Sequence, residues 1–177
     1  MKRLFLPLIL FVFLVFEGVA IELLPESLVG SSLLIIPHWV LITLIYITIF
    51  YDLKDTYHSI VYALVFGLLI DIVYTGVLGV YMFTYAIVTY IIHSLMKLLH
   101  SNFYATILAG TLAIAFADMA IYVIYLVVGI TALPWNDYLM IRLIPTVLAN
   151  QMFLLLLYPL IAKRLSIWKQ QQLSGNS

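Results

Sequence analysis

Apolar residues run along the chain in six stretches, Leu4–Leu24, Leu33–Tyr51, Tyr57–Tyr74, Val80–Leu98, Phe103–Gly129 and Tyr138–Ala162. Each approaches or exceeds the ~20 residues that let a helix cross a bilayer core of about 30 Å, so the pattern predicts six transmembrane helices. The breaks between them carry loop chemistry: Pro25-Glu26-Ser27 through Gly30-Ser31-Ser32, Asp52-Leu53-Lys54-Asp55, Thr75-Gly76, His100-Ser101-Asn102, and Thr131 to Asp137 with Pro134. The third break is the weakest, since Tyr74–Val80 is only mildly polar and relies on Gly76 and Gly79 to turn.

Composition sharpens this reading. The 177 residues are 66% hydrophobic and 9% charged, too little polar surface to cover a globule in water. Six spans leave no room for a soluble domain, so the expected organisation is one transmembrane domain over residues 1–162 and a short cytoplasmic tail over 163–177, frayed at its end. Eight Lys+Arg balance eight Asp+Glu, so nucleic acid is not an expected partner, and with no Cys there is neither disulfide nor thiolate site.

The basic residues predict orientation, because cytoplasmic loops collect Lys and Arg. With the N-terminus inside, cytoplasmic segments hold Lys2 and Arg3, Lys54, Lys97, and Lys163, Arg164 and Lys169, while the outer loops hold none. Both termini are therefore expected in the cytoplasm. The start Met1-Lys2-Arg3 followed by Gly18-Val19-Ala20 is similar to a cleavable signal, but Glu17 is a poor end for its apolar core and the stretch is long enough to span, so retention is expected.

Four charged residues fall inside spans: Glu17, Asp71, Asp118 and Arg142, all toward the outer half. Each costs about 2.5–3.5 kcal/mol on insertion scales, and together they would cost on the order of 10 kcal/mol if left apart, which predicts convergence on one pocket. Three readings of that cluster stay open: a structural ion-pair network, a partner-binding pocket facing outward, and a ligand or proton pathway. Asn150 lies two turns beyond Arg142 and extends the same seam, and Pro145 between them frees a backbone carbonyl and kinks the helix.

Span five repeats Ala105, Ala109, Ala113 and Ala117, a small-xxx-small seam suited to close helix packing within the bundle or against another membrane protein. Many of the 13 Tyr lie near span ends as interfacial anchors. The four His show no metal spacing, no cofactor is implied, and no G-x-S-x-G or H-E-x-x-H element is present.

The run Phe66-Gly67-Leu-Leu-Ile-Asp71-Ile-Val-Tyr74-Thr75-Gly-Val-Leu78-Gly79-Val80-Tyr81-Met-Phe, the first span with Glu17, and Arg142-Leu-Ile-Pro145-Thr146-Val-Leu-Ala-Asn150 together resemble the bacterial rod shape-determining protein MreD family over nearly the whole chain. Gly67, Gly79, Tyr81 and Pro145 are the turn and kink positions of that resemblance. It implies a non-catalytic multi-pass subunit of the cell-elongation machinery in the bacterial plasma membrane. The implied partners are MreC and, indirectly, MreB, a RodA-type glycosyltransferase and a penicillin-binding transpeptidase. The family's bundle also resembles the substrate-binding S components of energy-coupling-factor transporters, and a vitamin-binding transporter subunit is the alternative. The A-x-x-x-A docking face of those components is missing here, since Leu4–Leu24 contains only Ala20.

Overall fold

In a computed structural model, residues 2–23, 33–99 and 101–174 are described. The side chains of Lys2, Arg3 and Glu22, the connector with Glu26, and His100 lie outside them. Among the described residues every regular element is helical: α1 (Lys2–Leu23), α2 (Trp39–Phe50), α3 (His58–Thr75), α4 (Val80–Met96), α5 (Phe103–Val128) and α6 (Trp135–Ser174). Three of them, α3, α5 and α6, are long and apolar enough to cross a membrane; α2, α4 and the apolar part of α1, Phe5–Ala20, are shorter.

The second predicted span departs most from expectation. Residues 33–38 are extended, and only Trp39–Phe50 is helical. The cause is Pro37, which has no N–H and forces the residue before it out of helical geometry. A 12-residue helix is about 18 Å long, and six extended residues add about 20 Å, so strap plus helix are long enough for a bilayer core of about 30 Å although neither is alone.

Every residue from Val40 to Phe50 is buried, because α2 packs against all five other helices. Around it the neighbours run α1, α3, α4, α5, α6, and the ring closes through aromatic contacts of α1 with α6, Phe13 with Phe153 and Phe5 with Trp168. A helix apolar on every side is one buried on every side. Outward faces of the ring expose Phe11, Phe16, Phe83 and Leu156, as lipid-facing surfaces do.

Two further differences concern helix ends. The last turn of α3, Asp71–Thr75, and the start of α6, Tyr138–Leu143, are π-helical. The C-terminal segment is helix as far as Ser174 rather than a frayed tail from Gln170. Leu165 is buried and Trp168 meets Phe5, so the apolar spacing Ile161, Leu165, Trp168 continues one face of α6 past the predicted boundary at Ala162.

Candidate functional site

The strap is held by α6, residue for residue. In extended chain alternate N–H groups point to one side, and those of Leu34, Ile36 and His38 all face α6. Pro145 cannot donate to the carbonyl four residues earlier, and that carbonyl, of Ile141, accepts from Leu34 N at 2.9 Å. Thr146 Oγ1 accepts from Ile36 N at 3.1 Å and donates to Leu34 O at 3.3 Å. The Asn150 amide accepts from His38 N and donates to Ile36 O, both at 2.7 Å. Non-helical backbone survives at membrane depth only when protein supplies its partners, and Pro145, Thr146 and Asn150 supply them here.

The three acids serve separate places. Glu17 on α1 accepts from Val40 N at 3.0 Å, capping the start of α2. Asp71 accepts from Gly79 N and Tyr81 N at 2.8 Å and Met82 N at 3.1 Å, capping α4 across the turn. A carboxylate at a helix N-terminus meets both free N–H groups and the positive end of the dipole. Gly79, at φ 98°, occupies the left-handed region that this turn needs. Gly67 lets α3 touch α4, since a Cβ there would lie 2.7 Å from Met82 Cα.

Only Asp118 pairs with Arg142. Its Oδ1 accepts from Nε at 3.1 Å and Nη2 at 2.9 Å, and its Oδ2 accepts from the Tyr138 hydroxyl at 2.9 Å. His38 Nε2 lies 3.6 Å from Oδ1, while His38 Nδ1 shares a 2.8 Å hydrogen bond with the Tyr85 hydroxyl. Tyr138 is stacked on Tyr122 at 3.8 Å between ring centres. Of the four charges expected in one pocket, Asp118 and Arg142 form an ion pair while Glu17 and Asp71 hydrogen-bond helix starts. Glu17 and Arg142 do line one cavity of about 430 Å³ at the strap end, together with Tyr74, Tyr81 and Tyr125.

Ala105, Ala109, Ala113 and Ala117 are all buried on α5, which packs against α2, α4 and α6. Among the described residues, no group of three or more His, Cys, Asp or Glu is placed to hold a metal ion.

Two residues central to this geometry were missed by sequence reasoning. His38 joins the strap to the Asp118 pair, and its signal was a Pro-His step interrupting an apolar run. Asp52, read as loop chemistry, is buried and accepts from Ser59 N at 3.1 Å and Ser59 Oγ at 2.5 Å, capping α3. Burial raises its carboxyl above the ordinary 3.8. Asn102 caps α5 in the same manner through Ala105 N at 2.8 Å, so α2, α3, α4 and α5 each begin on a side-chain acceptor.

Over residues 1–167 the chain matches the family described as rod shape-determining protein MreD. It belongs to the MreD family. A curated relative, the rod shape-determining protein MreD of Bacillus subtilis (strain 168), is 30% identical over 150 residues, covering 85% of this chain and 86% of the relative. No solved structure matches the chain. Membership of the MreD family assigns the protein a part in rod-shape determination, and its apolar helices mark it as a membrane protein. The capping network described above therefore belongs to an MreD-type bundle.

Proposed function

We propose that this chain is a non-catalytic, six-span subunit of the bacterial plasma membrane, a single transmembrane domain with both termini in the cytoplasm. It binds MreC and links it to the RodA-type glycosyltransferase and penicillin-binding transpeptidase of the elongation complex, with MreB engaged indirectly. The observation that carries this reading is the use made of the intramembrane acids. Glu17, Asp71 and Asp118 are held by backbone N–H groups, by Tyr138 and by Arg142, an arrangement that fixes a rigid platform. Depletion should give rounded cells, and detergent extracts of tagged protein should contain MreC; rod-shaped depleted cells whose extracts lack MreC would refute the proposal.

A second reading, a vitamin-binding S-component-like subunit, is favoured by the strap-end cavity, whose volume of about 430 Å³ falls in the range of small-ligand pockets, about 300–1,000 Å³. A co-purifying vitamin, or tight small-molecule binding by calorimetry, would establish it.

A further inference from the structure

The basic residues that predict orientation also converge in space. Lys54 comes from the α2–α3 connector, Lys97 from the end of α4 and Lys169 from the last turns of α6, and all three line one cavity of about 360 Å³. His93 and Ser101 complete its polar wall. One acid, Asp52, lies at its base; its Oδ2 accepts from Ser59 N and Oγ, and its Oδ1 lies 3.5 Å from His58 Nδ1. Among the described residues none of the three ammonium groups is in an ion pair; Lys97 lies over the Tyr57 ring, 5.4 Å from its centre. Three lysines against one carboxyl, itself bound to Ser59, leave the cavity with an excess of positive charge that suits an anion.

Beside it runs an apolar groove. Leu98 and Leu99 belong to both the basic cavity and a second depression of about 330 Å³, whose wall continues along α5 through Tyr104, Ala105 and Leu108. Leu98 is 82% and Tyr104 80% exposed, on a surface that faces lipid in a spanning bundle. Cation pocket and apolar groove meeting at two leucines match the two halves of one molecule, a charged headgroup and its acyl chain.

We propose that this joint cavity is a binding site for an anionic phospholipid of the leaflet at the lysine end, its phosphate among Lys54, Lys97 and Lys169 and its chain along Leu98, Leu99 and Leu108. The proposal is independent of the MreC reading. The groove distinguishes a lipid from a free phosphate ester, which would use the lysines alone.

Native mass spectrometry of the full-length protein in detergent, with dioleoylphosphatidylglycerol and dioleoylphosphatidylcholine offered at equal concentration, tests it. Phosphatidylglycerol should be retained preferentially, and each of K54Q, K97Q and K169Q should weaken retention about fivefold. K163Q, a lysine outside the cavity, should leave it unchanged, as should millimolar sn-glycerol 3-phosphate. Each substitution is read singly, against a thermal midpoint that reports folding. Equal retention of the two lipids, or retention indifferent to all three lysines, would overturn the site. Displacement by glycerol phosphate would overturn the lipid assignment in favour of a soluble phosphate ester.

Discussion

Arg142→Leu leaves Asp118 buried beside Tyr138 and His38 without its guanidinium, and breaking a buried pair in this way costs about 3–5 kcal/mol. The double variant with Asp118→Leu should recover part of that loss, whereas Glu17→Gln and Asp71→Asn should each add to Arg142→Leu within about 0.5 kcal/mol. Denaturation in detergent reads all of these, and coupling of Arg142 to Glu17 or Asp71 would restore the single convergent cluster. Gly67→Ala drives a Cβ against the α4 backbone at Met82 and should cost about 1–3 kcal/mol, seen as a lowered thermal midpoint. Asp52 adds a pH dependence. Its carboxyl is raised by burial from 3.8, so the folded protein binds its proton more tightly than the unfolded chain does; stability is greatest below the ordinary value and declines as pH rises through the raised one. Thermal midpoints followed upward from pH 4 should fall with this component in wild type and lack it in Asp52→Asn. Hydropathy places all four charges in the outer half, but depth carries no angle around a bundle, so the Asp118–Arg142 pair could not be told from the two caps.

At the scale of elements, five of six helices were legible because apolar runs bounded by Gly, Pro, Asp and Asn define them directly. The motif from Gly67 to Tyr81 was legible too, and its physical content is the α3–α4 turn: Asp71 takes the N–H of Gly79 and two α4 N–H groups while Gly67 and Gly79 permit the close approach and the reversal. The strap was hidden because a short apolar run such as Leu33–Ile36 fits buried extended chain as well as helix, and the discriminating residue was Pro37. Pro145 was read as freeing a carbonyl, yet the donor that the Ile141 carbonyl finds, Leu34 N, lies 107 positions away in the chain and leaves no local trace. Asn150→Leu removes both partners of the strap centre, leaving His38 N and Ile36 O unsatisfied, so it should destabilise by about 1–3 kcal/mol per orphaned group and more than Asn150→Asp, which keeps the acceptor for His38. The C-terminal turns of α6 were obscured by polar composition, although Leu165 and Trp168 sit at core spacing.

For the whole molecule, the decisive arrangement is a short central helix, α2, enclosed by five others and hung from α6 by extended chain. Which helices lie on which side of it could not be read from the sequence, because a uniformly apolar helix gives no moment that points to a partner. Apart from the Asp118–Arg142 pair, the intramembrane charges of this MreD-family protein satisfy backbone, as Asn150 does: Glu17, Asp71 and Asn150 each accept from N–H groups that the fold leaves without helical partners. Hydrogen–deuterium exchange of the full chain in nanodiscs measures this at the amides concerned. Leu34, Ile36, His38 and Val40 should be protected to nearly the level of the α2 interior, Asn150→Leu should release His38, and Glu17→Leu should release Val40. Exchange of the strap amides at free-chain rates in the unsubstituted protein, with α2 still protected, would contradict it.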